Sequence, residues 1–158
     1  MTTSRVMGVV MLALMPGIAV SVWASGPQVL VLIAVGIGAA VATELACTRS
    51  VSSLRDLSAC VTGVLVALTV PHSTPPELVA VGSAIAIGLA KHAYGGLGAN
   101  VFNPAMVGYV AILVAFPQSL AEWDAVTGAT ALDQLSYRGG ATIDEVWKSP
   151  AFGLFGGS

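Results

Sequence analysis

Residues 29–47 read VLVLIAVGIGAAVATELAC, an apolar run from Val29 to Cys47 whose one charge is Glu44. As a helix rising about 1.5 Å per residue, it nearly covers a hydrocarbon core of about 30 Å. A second such run, Val6 to Trp23, lies just before it across the tight turn Ser25-Gly26-Pro27. The whole chain has the same character. Its 158 residues are 56% hydrophobic and 9% charged, with a mean hydropathy of +0.87. Soluble domains carry about a quarter charged residues, and the 6 Lys+Arg and 8 Asp+Glu here cannot coat a water-exposed surface. That balance disfavours soluble enzymes, disordered tails and collagen-like chains, and it offers no basic footprint for nucleic acid. The 18 glycines and 6% aromatics suit helices that approach closely in lipid. Two cysteines are too few for a disulfide framework or a four-thiolate cluster. The expected fold class is an all-α integral membrane protein.

Three shorter apolar stretches follow, from Leu57 to Val70, Leu78 to about Ala90, and Pro104 to Phe116. The expected layout is therefore five transmembrane helices over about 6–23, 29–47, 57–70, 78–90 and 104–116. A bundle domain would fill 1–116, and an outward-facing polar segment would occupy 117–158. Only the first two runs are long enough to cross unaided; the others are short and interrupted by Pro and Gly. Broken segments are tolerated at membrane depth where protein or a cavity satisfies the freed backbone groups, which suggests an internal site. The first run also has the marks of a signal peptide, with Arg5 ahead of an apolar core and Val22-Trp23-Ala24 as a cleavage site. Orientation follows from basic residues in the loops. With the N-terminus in the cytoplasm, Arg5, Arg49, Arg55 and Lys91 fall inside. The opposite loops, Ala24–Gln28 and Pro71–Glu77, carry no Lys or Arg, and the tail after Pro117 lies outside.

Three places could carry chemistry. Between the fourth and fifth stretches runs Tyr94-Gly95-Gly96-Leu97-Gly98-Ala99-Asn100-Val101-Phe102-Asn103-Pro104. Asn103-Pro104 reads as an N-cap followed by proline at the first helical position. The glycines permit positive φ and close approach. The segment is either a re-entrant turn capping the fifth helix or a polar pocket where Asn100 and Asn103 hydrogen-bond a planar ligand. In the outer tail, Asp124-Ala125-Val126-Thr127-Gly128-Ala129-Thr130 is either the lead-in to a capping box at Thr130-Ala131-Leu132-Asp133 or a modification site. There Gly128 and Ala129 leave the Thr130 hydroxyl uncrowded, and a base is needed to activate it. Thr142-Ile143-Asp144-Glu145 is a further capping box. The third place is Glu44, a carboxylate near the inner end of its span, expected to pair with Arg49 or Arg55, face the inner interface, or serve ion movement. Lys91 and His92 read as an inner-surface anchor, and Cys47 and Cys60 as small apolar fillers. Neither His92 nor His72 has metal-ligand partners nearby in sequence, so no metal is expected.

The run Tyr94 to Tyr109, with Asn103-Pro104-Ala105-Met106-Val107-Gly108-Tyr109 at its end, resembles the D subunit of Rnf-type ion-translocating electron-transport complexes. It is similar, more distantly, to the B subunit of the sodium-translocating NADH:quinone reductase. In that family a threonine in an Asp-x-x-Ser/Thr-Gly-Ala-Thr segment outside the membrane carries FMN through a phosphoester. Asp124, Thr127, Gly128, Ala129 and Thr130 match position by position, so the resemblance implies FMN on Thr130, installed from FAD by a flavin transferase. It further implies a non-catalytic carrier among other subunits, relaying electrons between ferredoxin and NAD while Na⁺ or H⁺ crosses a bacterial inner membrane, with the flavin segment periplasmic. A noncovalent riboflavin is a second implied cofactor, with Asn100 and Asn103 as its candidate pocket. Acidic neighbours such as Glu122, Asp124 and Asp133 would oppose an anionic reduced flavin and lower its potential. The chain lacks a nucleotide-binding glycine fingerprint and an iron–sulfur cysteine set, which leaves it the role of internal carrier.

Two departures from the family pattern stand out. Ala99-Asn100-Val101-Phe102-Asn103-Pro104 replaces the common Gln-Asn-Pro-Phe-Asn-Pro, removing an amide at 99 and a proline at 101. Family members are also about twice as long, so the chain reads as a fragment, a truncated frame or a split subunit covering the N-terminal half. Two other functions fit the residues: half of a small-solute transporter that dimerises, and an assembly subunit without flavin.

Overall fold

The computed structural model describes residues 2–96 and 102–120. The chain divides into two units, Met1–Glu122 and Trp123–Ser158, and every described residue belongs to the first. The described secondary structure is entirely helical. Helix α1 spans Thr3–Ser25 and α2 spans Gln28–Thr48; both are long and apolar enough to cross a membrane. A 3-10 turn at Val51–Asp56 leads to α3, Ser58–Thr69. Helix α4, Pro76–Ile85, continues without a break into a π-helical stretch, Ala86–His92. Helix α5 is Pro104–Ala115, and a short 3-10 turn, Gln118–Leu120, follows it.

Local chemistry sets these limits. Gly26, at φ 82°, ends α1 with its N–H on the Val22 carbonyl, and the next residue is proline. A left-handed residue at a helix end normally favours glycine, yet Arg49 ends α2 at φ 52° and Leu57 precedes α3 at φ 60°. Helix α3 therefore begins at Ser58, with the Asp56 carboxylate accepting from the Ser58 backbone N–H at 2.9 Å. Pro76 opens α4 where its missing N–H costs nothing. The apolar pattern ends the fourth stretch at about Ala90; the helix runs two residues further, to Lys91 and His92, whose side chains are bound at Glu44.

Helix α2 is central, burying Val29, Leu32, Ile33, Gly36, Ala40 and Glu44 at helical spacing against α3 and α4. Helix α1 packs Met11, Leu14, Ile18 and Val22 on the same core. Two glycine contacts fix how near the helices come. A Cβ on Gly63 of α3 would sit 2.5 Å from the Gly36 carbonyl oxygen of α2, and one on Gly36 would sit 2.6 Å from the Gly63 oxygen. Gly108 of α5 lies equally tight on the Gly82 carbonyl of α4, with Ile112 beside Gly82 and Ala86 beside Gly108. That pairing makes α4 and α5 an antiparallel hairpin. Small residues let backbones approach in this way, so van der Waals contact supplies the attraction that hydrophobic burial cannot supply in lipid.

The expected consequence is a stability change confined to the contact. Gly63→Ala should destabilise the fold by about 1–3 kcal/mol, the usual cost of overpacking, measured by denaturant unfolding in micelles. Gly38→Ala, whose Cβ would meet nothing within 4 Å, should be neutral or slightly stabilising.

Candidate functional site

Helices in a low-dielectric bundle rarely bury charge without a partner, so Glu44 identifies where polar chemistry concentrates. Its carboxylate is fully buried. Lys91 reaches it from the π-helical stretch, with Nζ donating to Oε1 and Oε2 at 2.8 Å each. The Ser53 hydroxyl donates to Oε1. Nε2 of His92 lies 2.9 Å from Oε2. An ionised carboxylate has about four acceptor positions, and all are taken.

The ammonium is equally complete. Its third hydrogen bond goes to Ser58 Oγ at 2.8 Å, and that hydroxyl donates onward to Asp56 Oδ1 at 2.9 Å. The second Asp56 oxygen is 3.9 Å from Nζ. Four elements thus meet at one end of the bundle: α2 brings Glu44, the 3-10 turn Ser53 and Asp56, α3 Ser58, and the π stretch Lys91 and His92. The π winding helps, because its wider turn, seen in Ala93 N–H bonding the Gly88 carbonyl, lets adjacent residues 91 and 92 address the same carboxylate.

This geometry corrects two expectations. Glu44 pairs with Lys91 and His92, not with Arg49 or Arg55, since the left-handed turn at Arg49 ends α2 and carries both arginines to exposed positions. Lys91 is no surface anchor: its side chain is 5% exposed. His92 keeps a 22% exposed side chain and is the rim of the cluster. The pairing with Lys91 escapes a local reading because 47 residues separate it from Glu44. The available signal is that each sits near the C-terminal end of its span, and the second and fourth spans run in the same direction, so two lone opposite charges at that end have strong reason to meet.

Asn103 caps α5 as its sequence implied, its side-chain oxygen accepting from the Ala105 N–H at 3.0 Å. Gly95 and Gly96 adopt φ of 96° and 95°, conformations open to glycine. Asn100 lies outside the described residues, as do Asp124, Thr127, Gly128, Ala129, Thr130 and the capping box at Thr142–Glu145. The described residues hold no group of three or more His, Cys, Asp or Glu arranged to bind a metal.

A family model described as the NQR2, RnfD, RnfE family matches residues 1–158. The D subunit of an ion-translocating oxidoreductase complex from Klebsiella pneumoniae (strain 342) is 43% identical over 126 residues, covering 77% of this chain and 36% of that protein. The D subunit of a proton-translocating ferredoxin:NAD(+) oxidoreductase complex from Clostridium ljungdahlii is 39% identical, covering 92% and 47% respectively. The D subunit of an ion-translocating oxidoreductase complex from Ectopseudomonas mendocina is 38% identical, covering 99% and 54%. The chain spans about half the length, or less, of these curated relatives.

Breaking the buried pair from one side should be costly. Lys91→Met is expected to lower unfolding free energy by about 3–5 kcal/mol, because it strands a buried carboxylate, whereas replacing both partners is often near neutral. Denaturant titration should therefore show Glu44→Gln combined with Lys91→Met recovering much of the single-variant loss.

Proposed function

Because the chain belongs to the NQR2, RnfD, RnfE family, we propose that it serves as a membrane subunit of an ion-translocating ferredoxin:NAD oxidoreductase complex and carries FMN on Thr130. One observation supports the flavin above all. The segment Asp124-x-x-Thr127-Gly128-Ala129-Thr130 follows the family's attachment pattern residue by residue, within a family match that covers the whole chain. The relatives' names supply the complex: those proteins are the D subunits of ion- or proton-translocating oxidoreductases.

The residues suit the group chemically. Thr130 offers a hydroxyl with only Gly128 and Ala129 immediately before it, room for a transferase to seat the segment. In the attachment step the Thr130 oxygen forms a bond to the flavin-side phosphorus of FAD. The pyrophosphate bond breaks, AMP departs, and the hydroxyl proton passes to a base. Asp124, Glu122 and Asp133, close to Thr130 in sequence, would bring negative charge near the product. Asn103 uses its oxygen in the α5 cap, and its NH₂ would be the donor it offers to a second, noncovalent flavin. When bound, FMN supplies reversible electron transfer, and the protein supplies position and electrostatics. The orientation proposed with this function puts the Arg5, Arg49 and Arg55 end in the cytoplasm and segment 124–130 in the periplasm of a bacterial inner membrane.

Co-expression with a flavin transferase tests the reading. The denatured band on an electrophoresis gel should fluoresce as flavin, and Thr130→Ala should abolish the signal with the protein level unchanged. A dark wild-type band in the presence of active transferase and FAD would overturn the covalent link.

A further inference from the structure

The Glu44 cluster contains two carboxylates, Glu44 and Asp56, against one ammonium, Lys91, whose three N–H bonds are all committed. One negative charge is left uncompensated inside a largely buried site. The group that can supply the missing charge is already in place. We propose that the cluster is a proton-binding site and that the proton is held at Nδ1 of His92.

The tautomer follows from the partners. Glu44 Oε2 already accepts from Lys91, so it meets His92 as an acceptor. Nε2 must therefore carry a hydrogen to form its 2.9 Å contact. The neutral ring is thus the Nε2–H tautomer, and Nδ1 is the nitrogen with a lone pair. Proton uptake forms one N–H bond at Nδ1, breaks none, and brings the cluster from a net charge of minus one to zero. Glu44 from α2 is the group in contact with the ring, and the charged and polar groups gathered around that carboxylate are Ser53 and Asp56 from the 3-10 turn, Ser58 from α3, and Lys91 from the ring's own stretch.

Access selects the same residue. The side chains of Glu44 and Lys91 are 1% and 5% exposed, against 22% for His92. Asp56 is also reachable, at 29%, but its Oδ1 already accepts from both the Ser58 backbone N–H and the Ser58 hydroxyl, which fixes it as an acceptor. Protonation has a mechanical outcome as well. An imidazolium on Oε2 shares Glu44 with the ammonium, and Lys91 already has Asp56 Oδ2 at 3.9 Å as its next carboxylate. The bound proton therefore strengthens the link from His92 of the π stretch to Glu44 and lets the ammonium turn partly toward Asp56 of the 3-10 turn. This inference rests on no residue of 124–130, so it and the flavin assignment stand or fall separately.

Nuclear magnetic resonance on the full chain in lipid nanodiscs, produced without a transferase, reads the proton directly. The sequence has only two histidines, so ¹⁵N-histidine labelling with His92→Gln for assignment isolates the ring. At about pH 8 the His92 ring should carry hydrogen on Nε2 alone, and at about pH 5 on both nitrogens. The ¹³C resonance of the Glu44 carboxylate should shift in step, and that shift should be lost in His92→Gln, whose amide still donates to Glu44. A neutral ring protonated at Nδ1, an unchanged ring across this range, or a Glu44 shift that persists in His92→Gln overturns the proposal.

Discussion

A charge taken out of water stays charged only if every hydrogen bond it gave up is remade, and Glu44 places that demand on four separate elements. Its acceptors are filled by Lys91, Ser53 and His92, and the Lys91 donors by Glu44 and Ser58. Remove one member and another becomes an orphan, so α2, the 3-10 turn, α3 and the π stretch must assemble together. Such pairs add little net stability compared with an apolar replacement. Their effect is selective: an arrangement that slid α4 by one turn along α2 would move Lys91 by about 5.4 Å and leave both charges bare. Register is the property this end of the bundle enforces.

The glycine contacts supply the complementary constraint in the middle of the bundle. Gly36 against Gly63 and Gly82 against Gly108 bring backbones too close for any Cβ. Hydrophobic burial gives no preference for one helix neighbour over another in lipid, where the alternatives are equally apolar. Shape then decides which helices pair, and the polar cluster decides at what height. The two devices also explain how short helices are tolerated. At 12 residues, α3 and α5 are each about 18 Å long, well short of a bilayer core. Both are held against longer neighbours, and the backbone groups at their starts are met by Asp56 and Asn103.

Much of this fold is legible in the sequence because apolar runs, prolines and glycines act locally. Ser25-Gly26-Pro27 breaks α1 from α2, and Asn103-Pro104 opens α5, each for reasons contained within a few residues. The cluster is illegible for the opposite reason. Its members come from positions 44, 53, 56, 58, 91 and 92, and no local periodicity ties them together. The nearest cations in sequence, Arg49 and Arg55, are the natural partners for Glu44, yet a left-handed residue at 49 turns the chain away from them. Positive φ at an arginine or a leucine is unfavourable, so residue preference gives no hint of it. The π winding that presents both Lys91 and His92 is equally hidden, since it follows from tertiary contacts more than from residue preference.

Burial of Lys91 also changes how charge reports orientation. Four cations fall at one end of the bundle by sequence, but Lys91 is neutralised internally by Glu44 and cannot interact with a membrane surface. Arg5, Arg49 and Arg55 remain, all exposed. They belong to the same end, because α1 runs antiparallel to α2 across the tight turn at Gly26 and its beginning packs near the 3-10 turn. Of the carboxylates nearby, Glu44 is engaged with Lys91, so Asp56 is the one negative charge set against the three arginines. The opposite loop, Pro71–Glu77, carries no Lys or Arg. The charge difference between the two ends of the described bundle therefore persists with three exposed cations in place of four. Arg5, Arg49 and Arg55 stay exposed at that end, whereas the fourth cation, Lys91, is reserved for holding the helices in register.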